Sequence, residues 1–269
     1  IIKNPDLNNL FLSASLQDIN DKCKILKSNF YLDSFNYFPI TSNYKTFKSL
    51  FKRQDNNSIE HFYNKNFLDD LKNNEKNFKK FENRFILGSS PADNYYSNLI
   101  HFFPRIFFNN NKEINLVIHR NLSNKFRNLI KAICELRGAK VNFNYLDDEF
   151  YIFNNSEIPQ FFSIEKSVNI LQYFFSKILI NFKDLNYGKK IYIRRENATY
   201  RKILNEADLI ERLKNNGFEI INPNHFEIFE QMKLFSNAEL IIAPHGSNLS
   251  NIIFCKEGTK IYEIGPKLE

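Results

Sequence analysis

The sequence predicts an α/β fold with two halves, each built on a parallel sheet. Short runs of β-branched and aromatic residues, typical of strands, alternate with segments whose apolar residues recur at helical spacing. This alternation fills the C-terminal half and occurs again around residues 115–145. The length of 269 residues is sufficient for two domains of ordinary size. Parallel sheets of this kind bind ligands at the carboxyl ends of their strands, so functional residues are sought there.

The C-terminal half has the clearest pattern. Strands are predicted over residues 190–194, 218–221, 240–243 and 259–264. Asn205 precedes apolar residues at helical spacing and Gly217 follows them, so a helix is predicted between these two. A second helix is predicted over residues 227–237, and residues 246–254 are expected to form a loop that leads into a short helix.

The N-terminal half is less regular. Strands are predicted over residues 84–87, 115–118 and 140–145, and helices over residues 94–108, interrupted near Pro104, and 124–137. Residues 45–85 are expected to hold helices and loops. Residues 147–165 have no clear pattern and lead into a predicted helix over residues 168–182. The domain junction is placed there, which gives an N-terminal domain over residues 1–165 and a C-terminal domain over residues 166–269.

Charge and composition exclude several classes of protein. The 37 Lys and Arg residues outnumber the 30 Asp and Glu residues, and the net charge of +7 favours an anionic partner: a nucleotide, a nucleic acid or a membrane surface. No apolar run approaches the roughly 20 residues of a membrane-spanning helix. The three cysteines are far apart and include no C-x-x-C pair, which argues against a disulfide framework or a zinc site. Because no Asp-x-Asp motif occurs either, we expect neither a metal nor a cofactor.

A pair of arginines directly follows a predicted strand. Arg194 and Arg195 come at its end, and Arg201 lies six residues further on, before the next helix. Guanidinium groups at a strand end can clamp a diphosphate and neutralise the charge on a leaving phosphate. The alternative is a solvated surface turn, which is the more common setting for an isolated Arg-Arg pair.

A second candidate site follows the buried strand over residues 240–243. His245 stands at its end, before a run of small and polar residues, and is a candidate ligand of a phosphate, a ribose or the reacting sugar. Small residues there let a ligand approach the backbone, and the first amides of the following helix point at it. The candidate ligand-binding residues of this run are Gly246, Ser247, Asn248 and Asn251. A tight turn in which His245 satisfies backbone carbonyls is the alternative.

Weaker candidates lie elsewhere in the chain. Glu263, on the last predicted strand, is either a ligand of a ribose hydroxyl or a structural residue at the sheet edge. In the N-terminal half, Asp93, Asn94 and His101 belong to a polar and aromatic cluster. Asp93 and His101 have side chains that can act as a general base. For His101, which is followed by two phenylalanines, a packing role is the alternative.

The order of these segments matches a known sequence pattern. In the C-terminal half the matching residues are Arg194-Arg195, Arg201, Asn205-Glu206, Glu230-Gln231, His245-Gly246-Ser247-Asn248-Leu249-Ser250-Asn251, Phe254, Glu257-Gly258 and Glu263-Ile264-Gly265-Pro266. In the N-terminal half they are Asn94-Tyr95-Tyr96 and Phe103-Pro104-Arg105. These residues, over about residues 84–266, resemble glycosyltransferase family 61, of the type that makes capsular and surface polysaccharides.

The resemblance implies a GT-B fold, in which two Rossmann-like domains face each other across a cleft and the C-terminal one holds the nucleotide. It also implies inverting, metal-independent transfer of a hexose or pentose from a nucleotide sugar, commonly a UDP-sugar, to a hydroxyl of a glycan acceptor. We therefore expect a cytoplasmic protein, either free or peripherally associated with the inner face of the membrane, with no nucleic-acid partner.

The sequence departs from the family pattern at three positions. Ser97 stands where the family usually has a histidine, and His101 where it usually has an acidic residue. We predict that His101, or else Asp93, is the base that activates the acceptor. Asn248 replaces a small residue in the loop after His245 and reshapes the phosphate or sugar pocket. The alternative function is a catalytically inactive GT-B-like protein that binds a nucleotide or a glycan.

Overall fold

A computed structural model of the chain describes residues 25–34, 37–42, 50, 65–179, 188–196 and 203–265. The chain divides after Ser167 into two compact units, close to the junction predicted at residue 165, and each unit contains its own sheet. The combination of helices with mostly parallel strands agrees with the predicted α/β class.

The first unit is built on a seven-stranded sheet. Its strands are β1 (Ile25–Asp33), β2 (Phe38–Thr41), β3 (Lys79–Glu82), β4 (Phe85–Ile86), β5 (Glu113–His119), β6 (Lys140–Leu146) and β7 (Phe150–Pro159). Its helices are α1 (Lys65–Asn74) and α2 (Asn124–Leu136). A π-helical segment (Ser97–Phe102) and a 3₁₀ helix (Phe103–Phe108) replace the predicted helix over residues 94–108, and the break falls beside Pro104 as expected.

Four strands of this unit have the Rossmann order. β4, β5, β6 and β7 run parallel and lie as β6-β5-β4-β7, so the strand order reverses between β4 and β7. β1 and β2 pair in antiparallel fashion beyond β7, and β3 pairs with β7 next to β4. The sheet is therefore mixed, whereas the sequence predicts only parallel strands here. The prediction of helices and loops over residues 45–85 is wrong at β3, and residues 43–49 and 51–64 lie outside the described part.

The sequence shows no clear pattern over residues 147–165, and no strand was predicted there. The structure places β7, a ten-residue strand, in this segment and in the interior of the sheet. Asn154, Asn155 and Ser156 interrupt its apolar run and are typical of a turn. In the structure this polar stretch is satisfied within the sheet. Ser156 is fully buried, and its hydroxyl accepts a hydrogen bond of 3.0 Å from the backbone N–H of Arg84. Asn155 does adopt the left-handed backbone conformation typical of a turn, with φ at 45°, and the register with β1 shifts there, but pairing with β1 continues on both sides of it.

Arg105 is the largest polar side chain in the core of the first unit and is fully buried. Its guanidinium group donates to the carbonyl oxygens of Leu87 and Pro159, which follow β4 and end β7 respectively, and to the Tyr37 hydroxyl. It also lies 4.1 Å from the centre of the Phe161 ring. Burial lowers the pKa of Arg105, and Tyr37 opposes this shift. Arg105 thus joins the carboxyl ends of two central strands.

The second unit contains a four-stranded parallel sheet. Its strands are β8 (Lys189–Ile193), β9 (Phe218–Ile221), β10 (Ala238–Pro244) and β11 (Lys260–Ile264), and its helices are α4 (Glu206–Asn215) and α5 (Ile228–Ser236). Helix α3 (Ile164–Leu179) spans the division between the units. The strands and helices predicted over residues 190–264 are confirmed, with shifts of one or two residues at their ends. The helix predicted over residues 168–182 begins earlier, at Ile164, and residues 180–182 lie outside the described part.

The strand order of the second sheet is β9-β8-β10-β11. The chain passes from β8 to β9 on one side and then crosses to β10 on the other, so the order reverses between β8 and β10. In open α/β sheets the crevice outside the carboxyl ends of two such strands is the usual ligand site. No helix in the described part of the chain is long and apolar enough to cross a lipid bilayer.

Candidate active site

The carboxyl ends of β8 and β10 bring Arg195 and the turn at Gly246 together. Arg195 Nη1 donates a 3.0 Å hydrogen bond to the carbonyl oxygen of His245. A Cβ atom placed on Gly246 would lie 3.2 Å from Arg195 Nε. The Gly246 backbone is extended, with φ at 171°, so a side chain at this position would be opposed by the close approach of the arginine and not by the backbone conformation. This turn and its arginine lie at the switch point of the second sheet.

His245 is held by the neighbouring strand. Its Nδ1 lies 2.5 Å from Glu263 Oε1, and its backbone N–H donates to the carbonyl oxygen of Ile264 at 2.9 Å. Both side chains remain about half exposed, at 54% and 44%. A carboxylate on Nδ1 fixes the imidazole tautomer and leaves Nε2 for a ligand. Glu263, predicted to bind a ribose hydroxyl, is in this structure the partner of His245.

Arg194 and Arg195 lie on opposite sides of the chain. Arg194 Nε lies 3.6 Å from Glu206 and its Nη1 lies 3.6 Å from Glu196, so two carboxylates compensate its charge. Successive side chains of an extended segment point to opposite faces, which explains the divergence. The sequence left open which of the two arginines would face a ligand, and in the structure it is Arg195 that contacts the His245–Gly246 turn. Arg201 lies outside the described residues.

Glu206 connects Arg194 to the core of the unit. The buried Tyr192 donates a 2.9 Å hydrogen bond to Glu206 Oε1. Burial and the bond to this carboxylate raise the pKa of Tyr192. In the sequence Glu206 was interpreted only as part of the helix start, after Asn205. Asn205 does occupy the N-cap position, but its side chain makes no capping bond.

The turn after Gly246 is held by its own side chains. It continues as a 3₁₀ helix over Ser247–Phe254. Asn251 is fully buried and its Nδ2 donates to the carbonyl oxygen of Asn248 at 3.0 Å, which favours a structural role for Asn251. Ser247 and Asn248 are partly exposed and remain candidates for contact with a ligand.

The N-terminal candidates lie in the first unit. Asp93 Oδ1 accepts hydrogen bonds from Asn98 Nδ2 at 2.9 Å and from the backbone N–H of Ser123, which precedes α2, at 3.1 Å. Burial raises the pKa of Asp93, and the bonds from Ser123 oppose the shift. Asn94 Oδ1 accepts from the Ser97 backbone N–H at 2.9 Å. Asp93 and Asn94 therefore both accept hydrogen bonds that hold the local fold.

His101 is partly exposed, as Asp93 is. It lies in the π-helical segment, and its ring meets the edge of Tyr96 with 5.3 Å between ring centres. Segments of this type are frequent at functional sites. The structure is compatible with its predicted role, which remains a prediction.

His119 lies at a strand end but was not among the candidate residues predicted from the sequence. His119 ends β5, is buried, and its Nε2 lies 2.7 Å from Asp148 Oδ1. Its backbone N–H donates to the Ser89 hydroxyl, which follows β4, at 2.9 Å. The signal that was available is the position of a histidine at the end of a predicted strand.

Comparison with protein families gives a match over nearly the whole chain. The sequence model of Glycosyltransferase 61 matches residues 24–262, which include most of both units. The chain belongs to glycosyltransferase family 61. The resemblance inferred from the motifs is therefore confirmed at the level of the family. Comparison with curated proteins found no match.

As a family 61 glycosyltransferase, the protein binds a sugar donor and a glycan acceptor. At one end of its sheet the second unit brings together Arg195, His245 and the Gly246 turn, and groups of this kind can bind a phosphate. No group of three or more His, Cys, Asp or Glu side chains among the described residues is placed to hold a metal ion.

Proposed function

We propose that this glycosyltransferase transfers a sugar from a UDP-sugar to a hydroxyl group of a glycan, with inversion and without a metal ion. The observation that carries the proposal is the contact of Arg195 with the His245–Gly246 turn at the switch point of the second sheet. A guanidinium group and nearby backbone amides at a strand end form a site for a diphosphate. The two units would correspond to the two Rossmann-like domains of a GT-B enzyme.

Arg195 and His245 would act on the leaving group. As the bond between the sugar and the diphosphate breaks, negative charge accumulates on the phosphate oxygens. A positioned cation stabilises that charge in the transition state and replaces the divalent ion that other sugar transferases use. His245, with Nδ1 engaged by Glu263, would present Nε2 to the phosphate or the sugar.

The acceptor hydroxyl requires a base. We assign this role to His101, with Asp93 as the second choice. His101 is preferred because histidine is the most common general base, and because one carboxylate oxygen of Asp93, Oδ1, accepts two hydrogen bonds that hold the local fold. The base would remove the hydroxyl proton as the acceptor oxygen attacks the anomeric carbon from the face opposite the diphosphate, which inverts that carbon.

The biological role proposed is the synthesis of a capsular or other surface polysaccharide. The proposal places the enzyme in the cytoplasm or at the inner face of the membrane. The net charge of +7 supports a peripheral contact with anionic lipids.

The proposal is tested by binding and turnover. Thermal unfolding is measured with UDP-, GDP-, CMP- and dTDP-sugars, because a donor that binds only the folded protein stabilises it by an amount that grows with the ratio of donor concentration to Kd. UDP-sugars are expected to raise the melting temperature, and Arg195→Ala is expected to abolish the shift. Arg212→Ala, on the exposed side of α4, is the matched control. Loss of turnover in EDTA with recovery in Mn²⁺ or Mg²⁺ would overturn the metal-free mechanism.

A further inference from the structure

A polar pocket lies at the amino-terminal ends of β4 and β5, within the first unit. It encloses about 170 Å³. β5 spans seven residues, and each residue advances a strand by about 3.3 Å, so the pocket is about 20 Å from the carboxyl end of β5. Sheets of this kind usually bind their ligands at the carboxyl ends of the strands. The pocket is therefore at the opposite end of the sheet from the expected ligand site.

The pocket forms where two neighbouring strands are interrupted at the same level. β3 ends at Glu82 and β4 begins at Phe85, and the register between β1 and β7 shifts beside Asn155. Asn83 and Asn155 both have left-handed backbones, with φ at 53° and 45°. Asn155 Nδ2 donates a 2.5 Å hydrogen bond to Asn83 Oδ1, and the Asn155 backbone N–H donates to Asn29 Oδ1 at 2.8 Å. The two interruptions are thus joined to each other and form one wall of the pocket.

Side-chain amides dominate the lining. Five of its eleven residues are asparagines: Asn83, Asn109, Asn111, Asn115 and Asn155. An amide group can both donate and accept hydrogen bonds, as a sugar hydroxyl can, so the two kinds of group pair in either direction. Asn109 is 3% exposed, and its Oδ1 accepts from the Asn111 backbone N–H at 3.0 Å, while its Nδ2 makes no hydrogen bond within the described part of the chain. The hydrogens of this mostly buried amide are left for a ligand in the pocket.

The charges of the lining balance. Its four charged side chains are two cations, Lys27 and Arg84, and two carboxylates, Glu113 and Glu157. Lys27 Nζ lies 3.8 Å from Glu157 Oε1, and Arg84 Nε donates to Asn144 Oδ1 at 3.2 Å. A lining without net charge gives no preference to a phosphate or to a cation. Its carboxylates remain available as acceptors for hydroxyl groups.

Groups outside the lining hold its polar atoms in place. Arg137 Nη2 donates to the carbonyl oxygens of Asn109 and Asn111, so its charge is directed at backbone groups. Asn142 Nδ2 donates to Glu113 Oε1 at 2.9 Å. Side chains that are already ordered lose little conformational entropy when a ligand binds, which favours binding.

We propose that this pocket binds one neutral sugar residue of a glycan chain. Its volume is below the roughly 300–1,000 Å³ of sites for drug-sized ligands, which favours a single ring over a nucleotide. A glycan anchored at this end of the sheet stays close to the enzyme, which raises the effective concentration of its acceptor end. The inference goes beyond the proposed function and depends neither on the nature of the donor nor on the role of Arg195.

The test is a titration of ¹⁵N-labelled protein with the methyl β-glycosides of glucose, galactose and N-acetylglucosamine, followed by NMR. The backbone amide resonances of residues 111–115 report on the pocket, and those of residues 119–121 report on the other end of β5. At least one glycoside is expected to shift the first group with a Kd of about 1–10 mM, which a few hydrogen bonds to accessible groups can supply. The second group should stay in place. Methyl β-glucuronide, which adds a negative charge, should bind about fivefold more weakly than methyl β-glucoside, because its carboxylate loses hydration without gaining an unpaired cation.

A double variant locates the binding in the pocket. Asn111→Ala with Asn115→Ala removes two amides of the lining, and both side chains are at least partly exposed, so the core is unchanged. Loss of two hydrogen bonds is expected to weaken glycoside binding by about tenfold or more. Asn73→Ala, at an exposed asparagine on α1 of the same unit, is the matched control and should bind as wild type does. The resonances of the double variant outside the pocket report whether it is folded.

Three outcomes would overturn the inference. The first is that no glycoside shifts the resonances of residues 111–115 at about 50 mM, well above the expected Kd. The second is that the folded double variant binds as tightly as the wild type, which would place the sugar elsewhere. The third is that methyl β-glucuronide binds more tightly than methyl β-glucoside, which would make the pocket an anion site. UDP binding and its loss in Arg195→Ala are measured separately, so the proposed function can stand where this inference fails, and the reverse.

Discussion

Glu263 Oε1 lies 2.5 Å from His245 Nδ1, across the parallel pairing of β10 with β11. The register of these strands sets Ala243 opposite Glu263, and the backbone N–H of His245 continues the ladder to Ile264. The pairing of the strands thus positions the carboxylate against the imidazole. Two residues that were separate candidates in the sequence form one unit in the structure.

His245 and Glu263 are expected to act together in catalysis. His245→Ala and Glu263→Ala should each reduce kcat by about tenfold or more, because the imidazole needs its carboxylate for a fixed tautomer. The double variant should be no slower than His245→Ala alone. Steady-state turnover of the four proteins measures the coupling. If the loss of kcat in the double variant equals the product of the losses in the two single variants, the two side chains act independently.

Gly246→Ala is expected to weaken donor binding and preserve the fold. The new Cβ would lie 3.2 Å from Arg195 Nε and displace the guanidinium group. A side chain forced off its preferred rotamer costs about 0.5–1.5 kcal/mol, or about two- to tenfold in Kd. Titration with UDP measures the change. Gly265→Ala is the control, since nothing lies within 4 Å of a Cβ at that position. Equal Kd values for both variants would contradict the role given to the contact.

His101→Ala is expected to reduce kcat by a factor of about 10²–10⁴ and to leave the Kd for UDP unchanged, as removal of a general base requires. Tyr96→Phe retains the ring that packs against His101 and serves as the control. Asp93→Asn should reduce kcat far less. A larger loss in Asp93→Asn than in His101→Ala would transfer the assignment to Asp93.

Arg105→Met is expected to destabilise the first unit by about 3 kcal/mol or more. The substitution removes the hydrogen bonds to Leu87 and Pro159 and leaves their buried carbonyl groups without this partner. Arg105→Lys should also be destabilising, because an ammonium group cannot reproduce the planar fork. Urea denaturation measures both. Tyr37→Phe, which removes one hydroxyl from the cluster, should cost less, on the order of 1 kcal/mol.

Cys134 is expected to make the folded protein less stable in alkali. Burial raises the pKa of its thiol to about 11. Because the pKa is higher in the folded state, the stabilisation is complete below the unfolded value near 9.0 and is lost as the pH rises to about 11. The loss is on the order of 2 kcal/mol. Denaturation at pH 8 and pH 10.5 measures it, and Cys134→Ala should reduce the difference. An unchanged slope in that variant would argue against this thiol as the source.

The C-terminal half could be predicted closely from the sequence. Its strands carry short runs of β-branched and aromatic residues, and glycine residues or an Asn-Pro pair end several of its elements, so local pattern and tertiary structure agree. The first unit was harder to predict from the sequence. β7 has four consecutive polar residues in its interior, and β1 pairs with β7, which lies far away in the chain, so the conformation of these strands depends on contacts that a local pattern does not contain.

By itself, the sequence determined the α/β class, the family and the two strand ends at which Arg195 and His245 would be found, because periodicity and motif order are properties of the chain. Only the tertiary structure decided which arginine faces the Gly246 turn, which carboxylate holds His245, and that Arg194 lies beside Glu196 and Glu206. These depend on strand order and on the side to which each side chain points. Both are set by pairing between residues that are distant in the sequence.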